Sequence, residues 1–192
     1  MKPVLSVVMS TYNRQQYIPD VVESVLGQSF TDFEFIIIDD CSNDDSCQVV
    51  SNYKDSRIRL FHNRENKGCT YNYHVAQNLA KGKYIAHIDD DDISLPTRFE
   101  KQIEFLKLNP EISLVGSFIE TFGENKRPSW VFYSDSEKLD FVMNFYNPIC
   151  HSSVMYDNVL TNQNAIGGNQ GAQSVQIGFF NEMIHYARAS LI

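Results

Sequence analysis

The chain has 192 residues, 43% of them hydrophobic, 12% aromatic and 21% charged. That is the make-up of one packed domain, able to bury roughly 70% of the surface its unfolded chain exposes and too apolar for intrinsic disorder. Sixteen basic against 24 acidic residues leave a net charge of -8, which argues against a nucleic-acid partner and means that a phosphorylated small molecule would be held by backbone amides or by a divalent cation on the protein's own carboxylates.

Residues 4–9 form a β-branched run closed by the polar Ser10-Thr11-Tyr12-Asn13, and an amphipathic stretch follows over 17–26, which reads as strand, loop and helix. The unit repeats: a strand over 33–38 ends in Asp39-Asp40, and Asp44-Asp45 caps a helix carrying Val49, Val50 and Tyr53. A third strand is expected over 58–61, a third helix over 71–80, and a fourth strand over 83–88 that ends in four aspartates. Pro96 then opens a helix with Phe99, Ile103 and Leu106 at helical spacing, stopping before Asn109-Pro110, and 112–122 is a further strand. Residues 157–176 hold eight Asn or Gln and three Gly and read as a loop or mobile segment, with one last helix over 179–192.

Strands alternating with helices predict an α/β fold with a mostly parallel sheet covered on both faces. Ligands of such sheets sit outside the carboxyl ends of the strands. Thr11 to Asn13, Asp39-Asp40 and Asp89 to Asp92 all fall directly after strands, on that one edge. The four cysteines, Cys41, Cys47, Cys69 and Cys150, show no CxxC pair and no zinc-type His spacing, so reduced thiols in a cytosol are expected. No apolar run approaches the roughly 20 residues of a membrane span, and no targeting segment is evident.

Each cluster has a plain reading beside a chemical one. Asp89-Asp90-Asp91-Asp92 could cap the following helix, but that uses one carboxylate of four. Alternate aspartates at a strand end can instead hold one hard cation and leave coordination sites for diphosphate oxygens, which suits Mn2+ or Mg2+. Asp39-Asp40 is either a helix-entry turn or a recognition element for a base or ribose, with Tyr12 offering a flat face for stacking. Asn66-Lys67-Gly68 lacks the GxxxxGK[ST] context of a phosphate loop, no GxGxxG occurs, and the tripeptide reads as a turn with Gly68 at positive φ. Cys150-His151-Ser152-Ser153 has no elbow motif and no third partner for a nucleophilic triad. Paired aspartates after a strand also occur in phosphoacceptor receiver domains, but there they follow the first strand, and Asp39-Asp40 follows the second.

In order along the chain, Val7-Val8-Met9-Ser10-Thr11-Tyr12-Asn13-Arg14, Ile36-Ile37-Ile38-Asp39-Asp40-Cys41-Ser42-Asn43-Asp44, Asn66-Lys67-Gly68, Tyr84-Ile85-Ala86-His87-Ile88-Asp89-Asp90-Asp91-Asp92 and Pro96-Thr97-Arg98-Phe99 resemble the family 2 glycosyltransferases. The likeness covers residues 3 to about 156. It implies a GT-A fold over 1–156, with 157–192 an atypical or truncated C-terminal segment, and an inverting transfer of sugar from a nucleoside diphosphate sugar, UDP-linked by preference, to a saccharide or lipid-linked acceptor. By position, Thr11, Tyr12, Asp39, Asp40, Asn66, Gly68, Asp89 and Asp90 would line the donor. Asp89-x-Asp91 matches the family's DxD element, with Asp91 and Asp89 as metal ligands. Residues 147–155 resemble the segment that closes the donor site, which makes His151 a candidate. The family's catalytic base lies in an acidic pair after that segment; here the pair is missing, and Glu182 and His151 are the weak candidates. A nucleotide-sugar-binding domain without turnover is the alternative. The resemblance further suggests the cytoplasm, or the periphery of a membrane where lipid-linked acceptors lie, and leaves homo-oligomerisation open.

Overall fold

The computed structural model describes residues 2–122 and 150–159, together with the backbone of 177–188. The elements run β1 (Leu5–Thr11), α1 (Ile18–Leu26), β2 (Phe33–Asp39), α2 (Ser46–Asn52), β3 (Ile58–His62), α3 (Cys69–Leu79), β4 (Tyr84–His87), β5 (Ile93–Ser94), α4 (Arg98–Leu108), β6 (Leu114–Phe122), a 3-10 turn (His151–Ser153), β7 (Met155–Asp157) and β8 (Ile177–Arg188). They form one sheet in the order β3-β2-β1-β4-β7-β6-β8-β5.

Period-two alternation along the strands builds a core on each side of this sheet. Leu5, Val7 and Met9 of β1, Phe33, Phe35 and Ile37 of β2, and Tyr84 and Ala86 of β4 pack with Ile18, Val21, Val22 and Val25 of α1, Val50 of α2, and Phe99, Ile103 and Leu106 of α4. The intervening residues Val8, Ile36, Ile38 and Ile85 face the other way, against Ala76 of α3 and Val154 and Tyr156. Each of these strands is buried on both faces, hence their unbroken apolar character. The spacing of Ile18, Val21, Val22 and Val25 gives α1 one apolar stripe, and the helix stops at Gly27. Helix α4 ends at Leu108, just ahead of Asn109-Pro110, as the pre-proline restriction requires.

The sheet is parallel from β3 through β2 and β1 to β4 and mixed beyond. Strand β7 runs antiparallel to both β4 and β6, and β8 runs parallel to β6 and antiparallel to β5. The helix expected over 179–192 is therefore not formed where the backbone is described: 177–188 is strand β8 in the main sheet. An apolar run of that length fits either period. The ladder offered by β6 on one side and β5 on the other decides it. The Asn/Gln-rich stretch over 160–176 lies outside the described residues.

Register places the site. Thr11 lies opposite Asp39, and Asp39 opposite His62, so three strands end in one rank. Strand β4 stops lower, with His87 opposite Val8, leaving room for the turn over 89–92 to rise toward Tyr12.

Candidate active site at the carboxyl edge of the sheet

Two loops of this edge are knitted into one wall. Asn13 and Cys41 adopt left-handed backbone conformations, with φ of 56° and 64°. The Asn13 amide donates to Ser42 Oγ (3.0 Å) and the Asn43 amide to Asn13 Oδ1 (2.7 Å). The Arg14 amide donates to Ser46 Oγ (2.9 Å), and the Gln15 amide to Asp44 (3.1 Å). This wall carries Tyr12, which is 41% exposed.

The paired aspartates at the end of β2 face inward. Asp39 is fully buried; its Oδ2 meets His62 Nδ1 at 2.6 Å and accepts from the Ser42 amide at 3.2 Å. Asp40 accepts from Asn63 Nδ2, the Lys67 amide and the Gly68 amide, each at 2.8 Å. Burial pushes the Asp40 carboxyl up, but the Lys67, Asn63 and Gly68 donors outweigh it and hold it below its ordinary value. These carboxylates thus organise loops: Asp40 closes the turn that contains Asn66 and Gly68, and Gly68 has the positive φ, 83°, expected from the sequence.

The four aspartates after β4 divide their partners. Asp89 Oδ1 accepts from the Tyr73 hydroxyl (2.9 Å) and lies 3.3 Å from His151 Nδ1. Asp90 accepts from the Tyr12 amide (3.3 Å) and sits 3.6 Å from Arg14 Nε. Burial raises its carboxyl, against the pull of Thr11, Arg14 and the Tyr12 amide. Asp92 is buried and accepts from the Ser152 hydroxyl. Asp91 alone of the four makes no side-chain hydrogen bond to another described residue; burial and the charges of Asp92 and Asp90 push it up to about 6. A carboxylate raised by its acidic neighbours, with only Arg14 opposing, has the chemistry to take a hard divalent cation together with a neighbouring aspartate.

Behind the turn runs a hydrogen-bonded chain that the sequence reading missed. Gln77 Nε2 donates to the Tyr156 hydroxyl (2.7 Å), which lies 2.9 Å from His87 Nε2, and His87 Nδ1 lies 2.8 Å from His151 Nε2. One proton assignment that satisfies every contact has Tyr156 donating to His87, His87 Nδ1–H donating to His151, and His151 Nδ1–H donating to Asp89. Burial, then the neighbouring His151, holds His87 well below the ordinary histidine value, so it is neutral. Tyr73 stacks on the His87 ring with centroids 4.9 Å apart. Both nitrogens of His151 lie within reach of a partner, Nε2 beside His87 and Nδ1 beside Asp89, which it helps to orient. Glu182, the other candidate base, lies in β8 between Phe180 and Met183, which pair with Ser117 and Phe118; its side chain is outside the described residues, as are residues 147–149 of the closing segment.

Arg98 supports the turn from beneath. It is fully buried and donates to Gln102 Oε1 (3.2 Å), Ser94 Oγ (2.9 Å), the His87 carbonyl (2.8 Å) and the Val154 carbonyl (3.2 Å). Burial lowers the guanidinium to about 10, with Cys150 and Asp92 opposing. The only sequence signal for this role is its place in Pro96-Thr97-Arg98-Phe99, and the signal for His87 is its position on a buried strand just before the aspartates.

Comparisons with known proteins agree on one family. The model described as Glycosyl transferase family 2 matches residues 6–157. An uncharacterized glycosyltransferase of Methanocaldococcus jannaschii is 41% identical over 128 residues, covering 65% of this chain and 44% of that protein. The Escherichia coli UDP-Glc:alpha-D-GlcNAc-diphosphoundecaprenol beta-1,3-glucosyltransferase WfaP is 38% identical over 104 residues, 54% of this chain and 41% of that one. The chain thus spans less than half the length of either relative. Staphylococcus aureus TarS 1-349 in complex with UDP-GlcNAc superposes with a TM-score of 0.80 at 20% identity, covering 100% of this chain and 59% of that one. The mannosyltransferase PcManGT from Pyrobaculum calidifontis, in complex with GDP-Man and Mn2+, gives 0.69 at 14% identity, with 97% and 57% covered. At these identities the likeness is one of fold.

Proposed function

Because the chain belongs to glycosyltransferase family 2 and has the GT-A fold, we propose that it transfers a sugar from a UDP-sugar to a saccharide or lipid-linked acceptor, with inversion at the anomeric carbon and with help from Mn2+ or Mg2+. The observation that carries this reading is the turn after β4, where Asp91 is raised to about 6 without a hydrogen-bond donor among the described residues, directly beside the exposed Tyr12. The donors of the relatives support the nucleotide: WfaP is named for UDP-Glc, and TarS holds UDP-GlcNAc. The Mn2+ bound with GDP-Man in PcManGT supports the metal.

In this reading the base stacks on Tyr12, and Asp90, aligned by the Tyr12 amide and Arg14, meets the ribose. Asp91 would hold the cation with Asp89 beside it, and Asp89 is kept in place by Tyr73 and His151. Asp40 fixes the Asn66–Gly68 turn as the far wall. An acceptor hydroxyl oxygen attacks the anomeric carbon as the bond to the diphosphate breaks, the leaving oxygen keeps that electron pair, and the hydroxyl proton passes to a carboxylate base. The bound cation supplies neutralisation of the leaving diphosphate. Among the described residues no helix is long and apolar enough to cross a membrane; action in the cytoplasm, at a membrane face where the acceptor is lipid-linked, belongs to the same proposal.

Melting temperatures with UDP, GDP, TDP and CMP, each with and without Mn2+, test the donor site. A nucleotide at 100 times its dissociation constant adds about 2.7 kcal/mol, on the order of 5–10 °C for a domain of this size. Stabilisation by UDP that needs Mn2+ and disappears in Asp91→Ala is expected; no response to any nucleotide would refute the site. Donor binding without hydrolysis or transfer would instead identify a nucleotide-sugar-binding domain.

A further inference from the structure

A second group of metal-ligating side chains lies at the carboxyl ends of β2 and β3, separated from the aspartate turn by β1 in the sheet order. Asp39 closes β2, His62 closes β3 directly opposite it, and Cys47 stands in the first turn of α2. One ligand atom from each, a carboxylate oxygen, an imidazole nitrogen and a thiol sulfur, lies within 4.8 Å of the other two. Tetrahedral ligands on bonds of about 2.0–2.3 Å sit within about 4 Å of one another, so a small side-chain adjustment closes the set.

A second observation points to a ligand. Asp39 Oδ2 is satisfied by His62 and the Ser42 amide, yet Asp39 Oδ1, on a side chain with no exposure, has no hydrogen-bond partner among the described residues. Buried carboxylate oxygens are almost always paired, and an unpartnered one on a side chain that already belongs to a cluster of donor atoms leaves an opening for a cation. We propose that Asp39, Cys47 and His62 form a binding site for a thiophilic divalent cation of the Zn2+ class. The mixed sulfur, nitrogen and oxygen set selects that class over Mg2+ or Ca2+, and three protein ligands leave the fourth position to water. Binding displaces the Cys47 proton, which burial and the Asp39 charge otherwise hold on the sulfur. All four cysteines are free.

The site would tie together the ends of two strands and the start of α2. The loop they enclose carries Ser42, Asn43 and Ser46, the residues that brace Asn13 and Arg14. The cation is therefore structural, stiffening the wall behind Tyr12 without touching the donor, and the inference stands whether or not the chain turns over a sugar.

The test is a titration of the reduced, metal-stripped protein with Co2+ alone. Wild type is expected to develop the near-ultraviolet sulfur-to-cobalt charge-transfer band in a one-to-one ratio, and Zn2+ should abolish it by displacement. Asp91→Ala should keep the band, since it lies outside the site. Cys47→Ser should lose it, and His62→Ala, with its fold checked by circular dichroism, should weaken Co2+ binding at least tenfold. Absence of the band in wild type, or its survival in Cys47→Ser, would overturn the proposal.

Discussion

Burial and the charges of Asp92 and Asp90 push the Asp91 carboxyl up to about 6, with Arg14 pulling the other way. A carboxyl whose folded value lies above its unfolded one carries no penalty below about pH 4, gains it between about pH 4 and 6, and carries it in full above. Without metal, Asp91→Asn should therefore stabilise the fold at pH 8 by about 1 kcal/mol, allowing for solvent screening of a partly exposed group, and the gain should vanish near pH 4. Thermal melts at the two pH values check this; equal gains at both would show that charge is not the cause. The same variant should lose the Mn2+-dependent response to UDP, so stability and binding pull apart at one residue. The aspartate run was legible because four adjacent carboxylates after a strand have few structural uses. The work of Asp40 was not, because its partners Asn63, Lys67 and Gly68 come from a loop that only strand register brings beneath it. His87 was hidden for a similar reason: its partners sit on α3, the 3-10 turn and β7.

At the scale of elements, Arg98 is the joint between β4, β5, α4 and the segment entering β7. Its guanidinium satisfies the His87 and Val154 carbonyls and the Ser94 hydroxyl in a fully buried setting. Removing it takes a donor from each of these oxygens, of which the Val154 carbonyl keeps the His87 amide, and an oxygen left unsatisfied costs about 1–3 kcal/mol before relaxation. Arg98→Met should lower the unfolding free energy by about 3 kcal/mol, seen as a lower urea midpoint at unchanged slope. A loss under about 1 kcal/mol would mean that water replaces the guanidinium. The βα units through α4 were readable from periodicity, since β1, β2 and β4 are buried on both faces and α1 and α4 each carry an apolar stripe. The sheet beyond β4 was not. Strand β7 spans only Met155–Asp157 and β5 only Ile93–Ser94, too short to show a period, and β8 is fixed by ladder partners distant in sequence.

For the whole molecule, a net charge of -8 opposes the approach of an anionic nucleotide. Without divalent metal, raising salt from about 10 mM to about 150 mM should tighten UDP binding severalfold as the repulsion is screened. With Mn2+ the dependence should flatten. Calorimetric titrations at the two salt concentrations measure both arms; weakening of metal-free binding by salt would show that Arg14 and its neighbours outweigh the global field.

The pairing of Ile93 with Tyr186 and of Ser94 with His185 has a bearing on the order of folding. Strand β5 follows the aspartate turn directly, yet its one ladder among the described residues is with β8, so its loop closes only after nearly half the chain has been laid down behind it. Contacts this far apart in sequence form late, because the entropy of loop closure must be met before they reward it. The parallel β1-β2-β3-β4 half can assemble from neighbouring segments. The acidic turn is then the last part of this edge to set, and binding competence should appear more slowly on refolding than secondary structure does.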